Sequence, residues 1–282
     1  MKCCVLPGRF QDRLHALGPE DIRAEQVFAP EFYRDCSETI PFWAMKNVES
    51  TKISGVVETI SKHFPLNTKF NFLKRIHSNV VLICPSEGGL DERAKMDALL
   101  VSLGGISLLS DDMIIETIKV PKFPVLTRKQ YEDANGVWPI RVTTPLMDID
   151  LDLAHTTKRQ ILKKFNQLVS GGAACLIESP DESISVLGRF DNSKYPLRHA
   201  VFAAADEVGK VADYLATDFS VYLVGEPCIM CSMALLHSRV KEVYFFHDAS
   251  ETKSFHGLGS TVAVHCNKQL NHRFNVYRLI AS

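Results

Sequence analysis

His199, Cys228 and Cys231 are the residues of this 282-residue chain whose types and spacing could do chemistry. Imidazole nitrogen and thiolate sulfur are preferred donors to zinc. Cys228-Ile229-Met230-Cys231 sets two sulfurs three residues apart, on one face of a helix. Pro227 suits the first turn of that helix, where its missing N–H is no loss. Pro196 precedes a second helix, predicted over 197–208, with His199 in its first turn. A thiolate near the positive end of a helix is easier to form. Three ligands from two helix starts leave one tetrahedral position open, as in catalytic zinc sites. Cys-x-x-Cys also suits a redox pair or half of a closed structural zinc site. For the latter His237, His247, His256, His265, His272 and Cys266 are possible fourth ligands. The order helix with His, strand, Pro-Cys-x-x-Cys helix favours open zinc over both.

The elements that must position these residues follow from periodicity. Strands are predicted over 173–178 and 183–190, joined by the turn Ser179-Pro180-Asp181-Glu182, then over 219–224 and 242–246. A long helix is predicted over 148–169, with Leu153, Ile161, Leu162, Phe165 and Leu168 inward and Lys158, Arg159, Lys163 and Lys164 on a solvated face. Upstream, Ile53, Val56, Val57 and Ile60 recur at helical spacing, ahead of Pro65. The run 79–84 reads as a buried strand, 91–103 as a helix with Ala94, Ala98, Leu99 and Leu103 on its inner face, and 113–120 as a strand. Thr127 caps a short helix over 128–134. Residues 1–50, with prolines at 7, 19, 30 and 41, read as an irregular arm. The chain is thus α/β throughout: a smaller amino-terminal α/β domain over 1–145 and a second domain over 146–282.

Composition excludes several classes. A hydrophobic fraction of 46% with 23% charged residues fits a folded globular protein, and a net charge of −1 removes a global basic footprint for nucleic acid. The start lacks the apolar core of a secretory signal, and no apolar run is long enough to span a membrane. The expectation is a reducing compartment, with the scattered cysteines other than Cys228 and Cys231 acting as small apolar side chains. A local basic surface remains open. Lys69-Phe70-Asn71-Phe72-Leu73-Lys74-Arg75 interleaves cations with aromatics, as phosphate neutralisation plus base stacking requires. The same pattern suits an edge strand whose Phe70 and Phe72 face a core.

Taken together, His199, its distance to Pro227-Cys228-Ile229-Met230-Cys231, and the continuation Ser232-Met233-Ala234-Leu235-Leu236-His237-Ser238-Arg239 resemble the cytidine-deaminase-like fold, a three-layer domain with a mixed sheet between helices. Within it the chain is similar to the tRNA adenosine deaminases. Zinc deaminases place a proton-shuttling glutamate two residues after the histidine, and it does not bind the metal. Here that residue is Val201. With the long amino-terminal extension and the ending Gly257-Leu258-Gly259 … Leu270-Asn271-His272-Arg273-Phe274-Asn275-Val276-Tyr277-Arg278, this points to the non-catalytic subunits of eukaryotic heterodimeric enzymes that convert adenosine to inosine at the tRNA wobble position.

The resemblance implies that His199, Cys228 and Cys231 hold zinc, that a catalytic deaminase subunit is the partner, that tRNA is bound, and that the protein resides in nucleus and cytoplasm. It implies no membrane and no catalytic residue in this chain, Val201 occupying the shuttle position. Lys69, Phe72, Lys74, Arg75 and Arg273 are the candidates for RNA contact. The loss of a group that contributes about 10²–10⁴-fold by proton transfer makes activity alone unexpected, and Glu226, beside the cysteine motif, is not expected to replace it. Zinc would then serve architecture, with the Ser282 carboxylate as a candidate for its fourth position. The competing readings are an autonomous zinc-dependent nucleobase deaminase of unusual mechanism and a zinc-stabilised interaction module.

Overall fold

A computed structural model describes residues 14–86, 90–105, 108–149, 152–190, 197–212, 215–246, 256–259 and 262–281. The chain folds as two compact units, Arg34–Asp148 and, from both ends of the sequence, Met1–Tyr33 with Ile149–Ser282. The expected domain 1–145 is corrected at its start. Strand β1 (Ile22–Gln26) alternates buried Ile22 and Ala24 with outward Arg23, and both buried residues join the core of the unit that carries the cysteines. Five residues between prolines give no local signal, because their pairing partner is the last strand of the chain, Ile22 lying opposite Ala281.

The unit Arg34–Asp148 starts with β2 (Thr39–Lys46), a strand hidden in what reads as an irregular arm. Pro41 disguises it, yet Pro41 lies past the last pair on one side, Phe42 opposite Pro85, and on the other side sits opposite Lys119. There follow α1 (Ile53–His63), β3 (Ile76–His77), β4 (Val80–Pro85), α2 (Leu90–Gly105), β5 (Ile114–Pro121) and α3 (Arg128–Asn135). The antiparallel sheet runs β3-β4-β2-β5. Phe42 and Ala44 of β2 bury on one face, Met45 on the other beneath Val56 and Ile60 of α1 and Met96, Leu99 and Leu103 of α2. Met96 takes the inner place expected of Ala94 and Ala98, which are exposed. Thr127 caps α3 as expected: its hydroxyl accepts from Gln130 N, and the Gln130 side chain accepts from Thr127 N, each at 3.2 Å.

The other unit contains α4 (His155–Ser170), β6 (Cys175–Glu178), β7 (Ser185–Gly188), α5 (Ala200–Val211), β8 (Ser220–Leu223), α6 (Ile229–His237), β9 (Glu242–Phe246) and β10 (Asn275–Ala281). Its sheet runs β1-β10-β9-β8-β6-β7, with β8, β9 and β10 parallel and the remaining pairs antiparallel. Tyr222, Tyr244 and Tyr277 stack across the three parallel strands, centroids 5.3 and 4.9 Å apart. Phe165 of α4 meets this face edge-on at Tyr222 and Phe246. Burial pushes all three phenols above the ordinary tyrosine range. On the opposite face Gly188 lies against α5, where a Cβ would come within 2.1 Å of the Ala200 carbonyl oxygen. Helices therefore cover both faces of the sheet.

Helix α4 starts later than its apolar pattern predicts. The Asp152 carboxylate accepts from the backbone of Ala24 and Leu153, which holds this stretch out of the helix. Lys158, expected in solvent, is buried instead: its ammonium donates to the Ile22 carbonyl at 2.8 Å and to Asp152. Lys164 bridges Glu178 and Glu182. Among the described residues no helix is long and apolar enough to cross a membrane.

Candidate metal centre

Each ligand identified by spacing sits at the start of a helix. His199 is the residue capping α5, with φ −66° and ψ 160°, one position earlier than a first-turn residue. Cys228 caps α6 in the same extended conformation, so Pro227 precedes the cap and does not occupy the first turn. Cys231 is the third residue of α6. Neither cap closes a side-chain hydrogen bond onto its own helix, which leaves the positive helix ends directed toward these side chains.

The three side chains converge. His199 Nδ1 lies 3.6 Å from Cys228 Sγ and 3.4 Å from Cys231 Sγ, and all ligand atoms fall within 4.8 Å of one another. Metal–ligand lengths of about 2.3 Å to sulfur and about 2.1 Å to nitrogen require a tetrahedral N···S edge of roughly 3.6 Å. The separations and the donor set therefore fit zinc. All three residues are buried. The closed-site alternatives do not assemble. Among the described residues His256 pairs with Glu226, His265 with the Val27 carbonyl and His272 with the Val240 carbonyl, and the metal-ligand group contains His199, Cys228 and Cys231 alone. His247 and Ser282 lie outside the described residues.

Val201 is the second residue of α5 and is completely buried in the apolar core. Glu226 supplies no replacement, because its carboxylate is already engaged. It accepts from Leu258 N at 3.2 Å and Gly259 N at 2.6 Å, and lies 3.2 Å from His256 Nδ1. This clasp is the feature that spacing arguments missed. It holds residues 256–259 against α6, where Cys228 bridges His256 and Gly257 N donates to the Pro227 carbonyl. Gly257 fits because a Cβ there would fall 2.3 Å from Ser232 Oγ. The signal was present in Gly257-Leu258-Gly259, a pair of glycines outside any helix or strand pattern.

Residues 153–247 match the cytidine and deoxycytidylate deaminase zinc-binding region. The fold of this unit is cytidine-deaminase-like. Over most of its length the chain is similar to a probable inactive tRNA-specific adenosine deaminase-like protein 3 of Danio rerio, at 27% identity across 86% of this chain and 87% of that one. It is similar to tRNA-specific adenosine deaminase subunit TAD3 of Saccharomyces cerevisiae, at 27% identity across 86% and 84%. It matches the corresponding subunit tad3 of Schizosaccharomyces pombe at 28% identity, across 70% and 67%. The chain is a relative of the tRNA-specific adenosine deaminase subunits.

The RNA-contact candidates divide. Phe72 is a core residue, packed with Phe70 and Leu73 and unavailable for base stacking. Arg75 is spent internally: its guanidinium donates to the carbonyls of Leu82, Phe64 and Ile83 and to Ser61 Oγ. Desolvation lowers its pKa from the ordinary arginine value. Both expectations are corrected, since a segment of mixed cations and aromatics has here been used to tie β4 to α1. Lys69 and Lys74 stay exposed, Lys69 with its ammonium 5.5 Å from the Phe70 ring centroid. Arg273 is exposed in the other unit, where it lines a cavity just before β10.

Proposed function

We propose that this chain is the non-catalytic, structural and RNA-binding subunit of a tRNA adenosine deaminase acting at wobble position 34, working beside a catalytic deaminase subunit in nucleus and cytoplasm. The observation that carries the reading is Val201, fully buried at the shuttle position beside an intact His199, Cys228 and Cys231 set. A metal held there would acidify a water in a catalytic relative. Among the described residues no carboxylate is placed to move the proton, Glu226 being committed to its clasp.

The ligand set then acts on architecture. His199 anchors the start of α5 and the two cysteines the start of α6, so one ion would lock together two helices that pack on each other. RNA capture falls to exposed cations, with Lys69 and Lys74 as the candidates in the unit Arg34–Asp148. Inosine formation in an anticodon stem-loop tests the proposal. The purified chain should produce none, and activity should appear when a catalytic deaminase subunit is co-expressed with it. Deamination by the chain alone would overturn the reading in favour of an autonomous deaminase.

A further inference from the structure

The parallel strands have two ends, and the metal ligands account for one. At the other, Thr217 and Asp218 before β8, Arg239 and Lys241 before β9, and His272 to Phe274 before β10 with its first residue Asn275 line a cavity of about 370 Å³. Arg239, Lys241 and Arg273 form no ion pair with any described residue, and Asp218 is the one acid in the lining. His272 is fixed by its Nε2 contact of 2.8 Å with the Val240 carbonyl and by stacking on Phe274.

Arg239 carries the argument further. Helix α6 ends in a paired closing turn: Arg239 N donates to the Leu236 carbonyl and Val240 N to the Leu235 carbonyl. That turn requires a left-handed residue just past the cap, the position usually given to glycine. Arg239 holds it with φ 59°, although a side chain there is disfavoured relative to glycine. The turn places Arg239 in the lining of this cavity, at the end of α6. The negative end of α6 alone would repel an anion. Three cations against one carboxylate reverse that sign.

We propose that this cavity is a phosphate site that receives a backbone phosphodiester of the bound RNA, at the end of the sheet away from the metal ligands. Guanidinium groups suit phosphate through their paired donors, and the cavity is far smaller than a folded RNA, so it takes a single phosphate and reads no bases. The assignment rests on the RNA-binding reading above.

The test uses the full chain in complex with its co-expressed catalytic subunit and measures tRNA affinity across a salt series. Arg239→Gly and Arg273→Gln are each expected to weaken binding about 3–10-fold near 0.1 M salt, and to reduce the slope of log K against log salt by about 0.7–0.9. Arg239→Gly should meanwhile leave thermal stability equal or higher, which separates lost binding from lost fold. Unchanged affinity and slope in both variants, with wild type binding, would overturn the cavity assignment and leave the RNA reading standing. Failure of wild type to bind tRNA would overturn the RNA reading itself. If inorganic phosphate stabilises wild type but neither variant while tRNA binding is unaffected, the site takes free phosphate and the assignment to RNA is wrong. Loss of the catalytic subunit from the Arg239→Gly complex would make the cavity a protein contact, and would equally overturn it.

Discussion

The metal triad and the Lys69–Arg75 segment both look like functional motifs in the sequence, and folding treats them in opposite ways. His199, Cys228 and Cys231 arrive together at two helix starts, buried and within 4.8 Å. The segment from Lys69 to Arg75 is split up: Phe72 joins the core, the Arg75 guanidinium ties backbone carbonyls, and Lys69 and Lys74 face solvent. The lesson concerns what each pattern encodes. Pro-Cys-x-x-Cys fixes relative geometry locally, since the cap residue Cys228 and the third helical residue Cys231 flank the same first turn. Interleaved cations and aromatics fix only composition, and tertiary structure decides which of them water sees.

The sharpest way to break this contrast is to remove a ligand. Cys231→Ala should abolish stoichiometric zinc in the purified chain and lower the melting temperature of the deaminase-like unit by about 10 °C, the equivalent of about 3–4 kcal/mol. Metal content by mass spectrometry, beside a thermal melt, reads both. Full stability with no metal in wild type would show the triad to be a relic, packed for its own sake.

The same contrast predicts a split within the Lys69–Arg75 segment. Arg75→Met strands the Leu82, Phe64 and Ile83 carbonyls that the guanidinium serves, and should cost about 2–3 kcal/mol in urea unfolding. Lys74→Met should stay within about 0.5 kcal/mol and weaken tRNA binding instead. If Lys74→Met destabilised as much as Arg75→Met, the division between internal tie and exposed cation would be lost.

What was legible in the sequence follows the same rule. Thr127 gave the start of α3 because a cap is local, and the structure adds Gln130 as the other half of a capping box. The hairpin β6–β7 was readable from its turn. β1 and β10 were not, since neither pattern states its partner, and their pairing joins opposite ends of the chain. β2 was lost to Pro41, and the start of α4 was placed too early because the Asp152 carboxylate is claimed by Ala24 N, across that same distant pairing. At the metal centre the ligands were readable and the Glu226 clasp was not. It depends on Leu258 N and Gly259 N, some thirty residues downstream, whose meaning appears only when the loop has closed.

The clasp offers a milder test of the same idea. Glu226→Gln keeps the shape but removes the charge that strengthens two backbone hydrogen bonds, and should cost about 1–2 kcal/mol. Faster amide hydrogen exchange at Leu258 and Gly259 would locate the loss. Unchanged protection there would mean that the loop is held by Gly257 and its fit against Ser232 and not by the carboxylate.

The smallest effect lies in the hairpin turn, where geometry is again local. Asp181 accepts from Ser179 Oγ, Ser183 Oγ and Ser183 N, and these hydrogen bonds hold its pKa down at about 2, against 3.8 ordinarily. A carboxylate depressed on folding lends stability that is complete above its unfolded pKa and disappears as pH falls through the folded value. The contribution should therefore be intact at about pH 5 and above, and fade between about pH 4 and about pH 2. Asp181→Asn, which keeps an acceptor but cannot titrate, should flatten the stability profile in that window. Comparing acid unfolding of the two proteins isolates the turn, because every other carboxylate is shared. If the profiles coincide, the Ser179 and Ser183 hydroxyls, and not the charge of Asp181, set the turn that joins β6 to β7.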